Sequence, residues 1–224
     1  MGYDMNIIDE MPEAERLAKE AAEAEWNRVI KARDEIGQDL DWMQKRDLPE
    51  WQEAQALCET AYAKMSAADT HYFRLNIWGM GVARMGMYEA GMIYDGQYDA
   101  DEWPDYTPPT SAEGGAEGLR QAEDDYDREY DERCMPLRAK HPEGGDTIPS
   151  FKFGSNDGWL VTPEECHAAV RAWSEHKAKL DAEGIVATIG EDGEPEQHPF
   201  DREWWPEWIA FIERASKRGG FRVY

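Results

Sequence analysis

The residues best suited to recognition form an acidic row in the segment 119–138, LRQAEDDYDREYDERCMPLR. The segment predicts a helix that ends at Pro136, and its inward face is predicted to consist of Leu119, Ala122, Tyr126, Tyr130 and Cys134. On the outer face Glu123, Asp127 and Asp131 recur at intervals of four, roughly 5–6 Å between neighbours. Carboxylates spaced along a rigid helix can imitate the phosphates of a duplex and occupy a basic groove. The pattern predicts a partner-binding face, and a solvated surface is the other interpretation.

The predicted contact set extends this row to its neighbours and to two aromatic side chains of the preceding loop. Residues 94–134 carry 14 acidic against 3 basic side chains, and prolines and glycines break the chain between 95 and 118. Aromatic side chains in such a loop either anchor it or contact a partner. The predicted partner-binding residues are Glu123, Asp124, Asp127, Asp131, Glu132, Trp103 and Tyr106.

Catalytic and metal-binding motifs are weak by comparison. The sequence contains no GxSxG, SxxK or P-loop pattern. Cys166 falls in the first turn of a predicted helix, where the dipole lowers a thiol pKa, but the adjacent His167 points in a different direction. Glu164 and His167 make one i, i+3 pair, whereas a di-iron site needs two such pairs and further glutamates. We expect no catalytic residue, no metal site and no cofactor.

The charge of the whole chain favours basic partners. With 24 Lys and Arg against 48 Asp and Glu in 224 residues, the formal charge is -24. Such a surface repels nucleic acid and anionic lipid, so direct binding to either is not expected, whereas proteins that normally hold nucleic acid are suitable partners. Three cysteines without a CxxC pair, and no secretory signal, favour a cytoplasmic location.

The elements that must position these residues are predicted to be mostly helical. In the least polar segment, 72–94, Gly79, Ala83, Gly86 and Ala90 fall on one helical stripe, which predicts a helix buried on several sides that another backbone approaches closely. Charged residues interrupt the segment, so a membrane-spanning helix is not expected.

A helical hairpin is predicted to include this segment. Residues 1–10 form a loose leader, and a helical pattern begins at Met11. The seam of this first helix is predicted at steps of four and three, at Ala22, Trp26, Val29, Arg33, Ile36, Leu40 and Met43. Pro49 then ends the first helix and begins the second, in which the same register continues to Gly86. Two long helices joined by a short turn should pack antiparallel.

The C-terminal part is predicted to contain short strands and helices. Thr162 and Glu165 form a capping box with Pro163 at the first helical position, which begins a helix that runs to Gly184. The other predicted elements are strands at 151–153, 159–161, 185–189 and 221–224, and a Trp-rich helix at 201–217.

These elements give an α+β fold that is predominantly α. Residues 1–93 form a long antiparallel helical hairpin, residues 94–140 an acidic loop and helix, and residues 141–224 a small α+β unit with short strands and two helices.

The chain also resembles uncharacterised proteins of actinobacteria and their phages in three segments, HYFRLNIWGMG, MYEAGMIYDG with its following EWPDY, and FKFGSNDGWLVTPEEC. The resemblance carries over no functional residues. It implies an intracellular phage or prophage origin, and it favours an accessory interaction protein such as a counter-defence inhibitor.

The predicted function is a non-enzymatic acidic interaction or inhibitor protein that binds a basic protein surface and mimics nucleic acid. One alternative is an enzyme or small-molecule-binding protein, with a pocket between the Gly- and Met-rich helix and the C-terminal unit to which His167, Asp157 or Arg84 contributes. Another is a virion or assembly component that oligomerises through its aromatic surface, which a large flat apolar patch would favour.

Overall fold

The computed structural model describes residues 2–99, 102–183, 188–189, 195–196 and 198–224. Its fold is α+β and predominantly α, as predicted. The chain divides into two compact units, residues 10–72 and residues 1–9 with 73–224. The predicted boundaries near 93 and 140 do not appear in this division, because strands from both ends of the chain pair in one sheet.

The unit 10–72 is an antiparallel hairpin, as predicted, but it is shorter than the predicted 1–93 because its second helix ends at Ala68 and does not continue to Gly86. It contains α1 (Glu13–Glu35), α2 (Trp42–Arg46) and α3 (Pro49–Ala68). Arg33 donates to Gln55 at 3.0 Å, whereas Lys64 donates to Glu25 at 3.3 Å, so the two long helices run in opposite directions. The α1 side of the seam is half-buried at the predicted positions Ala22, Trp26, Val29, Arg33 and Ile36.

The first helix is shorter than predicted. It ends at Glu35, because Gly37 takes a left-handed conformation with φ +59°. Asp41 then begins α2 with a capping box, in which its side chain accepts from the Gln44 N–H. Leu40 and Met43, which the sequence assigned to the seam, are exposed instead.

The N-terminal residues form a strand and not a loose leader. Residues Gly2–Ile7 are β1, which pairs antiparallel with β8 (Phe221–Val223), Met5 opposite Val223. Tyr3, Met5 and Ile7 alternate with polar residues, which is the period of a strand with one buried face. The alternation spans only six residues, and the sequence prediction did not assign it to a strand.

The segment 72–94 is also not one helix. It contains β2 (Tyr72–Asn76), α4 (Ile77–Glu89) and β3 (Ile93–Tyr94). The helix begins at residue 77 because the Asn76 side chain accepts a hydrogen bond from the Gly79 N–H at 2.7 Å. Before it, Phe73 and Leu75 alternate with Arg74, again at a period of two.

Only one side of α4 is buried, whereas the sequence predicted burial on several sides. The small residues Ala83, Gly86 and Ala90 do lie on the buried side. Gly86 faces the indole ring of Trp205 and not another backbone. On the opposite side Trp78 is 83% exposed and Met85 60% exposed. The close approach at Gly86 therefore involves a side chain.

The other elements complete one α+β unit. The described strands β2, β1, β8 and β5 (Trp159–Val161) form a sheet in that order. In the described ranges no helix is long and apolar enough to cross a membrane. The remaining elements are α5 (Gly115–Arg138), β4 (Ile148–Pro149), a 3₁₀ turn (Ser150–Phe153), β5 (Trp159–Val161), α6 (Pro163–Glu183), β6 (Thr188–Ile189), β7 (Pro195–Glu196), a second 3₁₀ turn (Pro199–Asp201) and α7 (Trp205–Ser216).

The C-terminal predictions are confirmed at the capping box and at two strands. The Thr162 N–H donates to Glu165 at 2.8 Å, and the Glu165 N–H donates to the Thr162 hydroxyl at 3.3 Å. Strands lie at 159–161 and 221–223 as predicted, whereas 151–153 belongs to a 3₁₀ turn. The predicted strand 185–189 lies outside the described residues except at 188–189, and the Trp-rich helix begins at 205.

Candidate functional site

Helix α5 packs through one face and presents the other to solvent. On the packed face Leu119, Ala122, Tyr126 and Tyr130 are half-buried and Cys134 is fully buried, as the sequence predicted. The rings of Tyr126 and Tyr130 stack with their centroids 6.3 Å apart. Pro136 was expected to end this helix, but the helix continues to residue 138, since a proline in the last turn removes a single hydrogen bond.

The protein's own side chains hold two of the five predicted carboxylates. The Tyr106 hydroxyl donates to Asp127 at 2.8 Å, and Arg138 forms an ion pair with Asp131. The remaining three make no hydrogen bond or ion pair with any residue that the structure describes, and they are the exposed Asp124 and Glu132 and the half-buried Glu123. The surface free to bind a partner is therefore smaller than the predicted row.

Tyr106 fastens the acidic loop to α5. Its ring centroid lies 5.6 Å from that of Tyr126 and 5.1 Å from that of Tyr130. The hydrogen bond to the Asp127 carboxylate raises the pKa of Tyr106, because it stabilises the protonated phenol. The side chain is still 55% exposed, so it both anchors the loop and borders the acidic surface.

Trp103 anchors the same loop to the body of the unit. It is half-buried, and its ring centroid lies 5.2 Å from that of Trp159 in an edge-on contact. The Arg138 guanidinium lies 5.9 Å from the Trp103 ring centroid. The sequence left two roles open for Trp103, anchoring the loop or contacting a partner. These contacts give it the anchoring role.

Arginines divide the acidic surface of α5 into patches. Arg128 follows Asp124 by four residues and forms an ion pair with Asp125 at 2.6 Å. The Arg133 guanidinium lies 5.7 Å from the Tyr130 ring centroid. The helix therefore presents separate groups of carboxylates and not the continuous anionic line of a duplex strand.

A buried ion pair was missed by the sequence analysis. Lys152 is 0% exposed and Glu165 is 2% exposed. The Lys152 ammonium donates to both carboxylate oxygens of Glu165, at 2.7 and 2.8 Å, and to the Leu160 carbonyl oxygen at 2.6 Å. Burial lowers the pKa of Lys152, and the charge of Glu165 opposes that effect.

His141 completes this cluster. Its Nδ1 atom lies 2.7 Å from the Glu165 carboxylate, and its Nε2 atom lies 2.6 Å from the Gly145 carbonyl oxygen. Both contacts are hydrogen bonds at once only when both ring nitrogens carry protons. The sequence contains one signal of a buried lysine, since Lys152 lies between Phe151 and Phe153. Because the sequence pattern assigned Glu165 to the capping box, its second role as the partner of Lys152 was not predicted.

The cysteine candidate for catalysis, Cys166, is not activated. Cys166 is buried, and this burial, together with the nearby Glu165 charge, raises the pKa of its thiol. The thiolate that a nucleophile needs is therefore disfavoured. Within the described ranges, no group of three or more His, Cys, Asp or Glu side chains is placed to hold a metal ion.

The three residues named for an enzymatic pocket have separate surroundings. His167 lines an open surface depression together with Asp146 and Arg171. Asp157 accepts a hydrogen bond from Ser155 at 2.6 Å in the turn before β5, and Arg84 is half-buried on α4.

Comparison with known proteins adds no relative to this description. No protein-family model matches the chain, and neither a curated protein nor a solved structure matches it.

Proposed function

We propose that this chain is a non-enzymatic interaction protein, and that the free carboxylates of α5 bind a basic surface on another protein. The observation that carries the proposal is that the exposed Asp124 and Glu132 and the half-buried Glu123 make no hydrogen bond or ion pair with any described residue, although the helix that carries them is anchored. The packed face of α5 holds the helix backbone that carries them, so only the side chains lose conformational freedom when a cationic surface binds them.

The net charge supports the same proposal through its effect on association. A formal charge of -24 creates a long-range field that accelerates the encounter with a cationic protein, and added salt screens that field. The proposed partner is a protein whose basic surface normally holds nucleic acid. The arginines of α5 restrict the proposed mimicry to short groups of charges, so a compact basic patch suits the helix better than a long groove.

An inhibitor role follows from this surface, because a protein that occupies a basic patch excludes the nucleic acid that would otherwise bind there. Counter-defence by a phage or prophage protein is the specific form that we propose. The buried and ion-paired groups described above contribute to the fold and take no part in the proposed recognition.

An oligoarginine peptide with a fluorescent label provides a defined test. Neutralising the three free carboxylates with Glu123→Gln, Asp124→Asn and Glu132→Gln is expected to weaken peptide binding roughly tenfold at low salt, because three surface charge pairs are lost. Fluorescence anisotropy measures the affinity, and the effect is expected to shrink as salt is added.

The matched control removes the same charge from the hairpin unit. Glu10→Gln, Glu35→Gln and Glu53→Gln change three exposed glutamates. We expect this variant to bind the peptide within a factor of about two of wild type, since it keeps every carboxylate of α5. Equal weakening in both variants would show that the peptide senses net charge alone, which would contradict a site on α5.

A second candidate function is an assembly role, and the exposed face of α4 favours it. Ile77, Trp78, Met85 and Tyr88 are all exposed on this helix. Apolar side chains gathered in this way on a highly charged protein are typical of interaction surfaces.

A further inference from the structure

The side of α4 that faces solvent is apolar over three turns of the helix. Its exposed residues, which we call the α4 outer face, are Ile77, Trp78, Gly81, Met85 and Tyr88. Their spacings of three and four place them on one side of the helix, opposite the buried Ala83 and Gly86. The helix is therefore anchored by one face and leaves a second apolar face uncovered.

The exposed area of this face is large enough for a weak protein interface. The exposed fractions are 83% for Trp78, 60% for Met85, 49% for Ile77 and 41% for Tyr88. They correspond to roughly 500 Å² on each copy, so a pair of copies that covers them buries about 1,000 Å² in total. That total lies at the lower limit for a specific interface between two proteins.

The charge of the face restricts what can cover it. Arg84 is the one charged residue between Ile77 and Tyr88, although the whole chain has a formal charge of -24. A basic partner is attracted to the acidic surfaces of the protein and meets a positive charge on α4. An acidic protein with an apolar patch fits the face better, and a second copy of this chain has both properties.

Gly81 lies in the middle of the face and leaves room for a second backbone. In the described part of the chain, nothing lies within 4 Å of a Cβ atom built at this position. A glycine in such a place lets another helix approach closely. In an antiparallel pair with two-fold symmetry that crosses at Gly81, Trp78 of one copy reaches the level of Arg84 of the other. An arginine beside an exposed indole ring makes a favourable cation–π contact.

We propose that two copies of this chain form a symmetric dimer through the α4 outer face, with the two helices crossing at Gly81. The proposal rests on the assembly role given above as the second candidate function, and it commits that role to self-association. It does not involve the carboxylates of α5, so the dimer and the binding of a basic partner can fail independently.

Sedimentation equilibrium of the full chain over a range of concentrations measures the dimer directly. We expect a Kd of about 10–100 µM, because the interface is small and association has a large entropic cost. Added salt should strengthen the dimer, since it screens the repulsion between two chains of charge -24. The binding of oligoarginine to α5 should respond to salt in the opposite direction, which separates the two proposals.

Met85→Glu is expected to weaken self-association at least tenfold. In the symmetric pair each new carboxylate leaves water at the level of the apolar Ile77 of the second copy. Leu57→Glu is the matched control, because Leu57 is 61% exposed on α3 and the change in charge is the same. We expect the control to associate within a factor of about two of wild type, and both variants to bind oligoarginine as wild type does.

Gly81→Gln tests the crossing point. The open space allows the side chain in a single copy, but the added atoms hold a second backbone away. We expect at least fivefold weaker association without a loss of stability to urea. The proposal is overturned if the wild-type protein remains monomeric at about 1 mM in high salt, where a dimer of this affinity would predominate. It is overturned equally if Met85→Glu associates as tightly as Leu57→Glu, or if Gly81→Gln associates as tightly as wild type.

Discussion

Glu165→Gln is expected to lower the free energy of unfolding by about 3–5 kcal/mol, because it leaves the Lys152 ammonium buried without a counterion. The carboxylate accepts hydrogen bonds from the Lys152 ammonium, from the Thr162 N–H and from the His141 ring. A glutamine offers one acceptor oxygen in place of two, and its amide group adds donors where donors already converge. The loss should therefore exceed that of an ordinary surface substitution.

Urea denaturation measures this loss, and two further variants isolate its cause. Glu164→Gln changes the neighbouring exposed glutamate and should alter stability by less than about 0.5 kcal/mol. Adding Lys152→Met to Glu165→Gln removes the uncompensated charge and should restore part of the loss. If Glu165→Gln and Glu164→Gln prove equally mild, the buried pair does not stabilise the fold as the contacts indicate.

Gly86→Ala is expected to destabilise the protein, although alanine normally favours a helix. A Cβ atom at this position would lie 2.8 Å from two atoms of the Trp205 ring and 2.9 Å from the Pro199 Cβ. Overpacking of this kind costs about 1–3 kcal/mol, which outweighs the gain of up to about 1 kcal/mol in helix propensity. The buried glycine is thus required by the indole that it faces.

Gly81→Ala on the same helix should have the opposite sign. Nothing lies within 4 Å of a Cβ atom at Gly81, so the propensity gain of about 0.5–1 kcal/mol stands alone. Thermal and urea unfolding of the two variants measure the difference, which we expect to exceed about 1 kcal/mol. Two stabilised variants would contradict the packing of Trp205 against α4.

Local signals in the sequence predicted the parts of the fold that depend on neighbouring residues. The capping box at Thr162 and Glu165, the hairpin seam around Trp26 and the packed face of α5 all follow from spacing within one element. The strands β1 and β2 did not, because each is short and gains its stability from pairing with a distant part of the chain. In residues 72–76 the helical spacing of the preceding segment continued. It hid the alternation of period two that indicates a strand.

The sequence predicted only those features of the candidate site that lie within one helix. The sequence places five carboxylates on the outer side of α5, but it cannot show that Tyr106 holds Asp127 or that Arg138 holds Asp131. Such pairings depend on how a loop folds back and on which rotamers packing allows. The same limit applies to Lys152, whose partner lies thirteen residues away.

The binding footprint of an oligoarginine peptide on the ¹⁵N-labelled protein tests the proposed function most directly. We expect the amide shifts to concentrate between residues 121 and 134, around Glu123, Asp124 and Glu132, and to fade as salt is added. A footprint on the hairpin 10–72, or shifts spread evenly over the acidic surface, would contradict a binding site on α5.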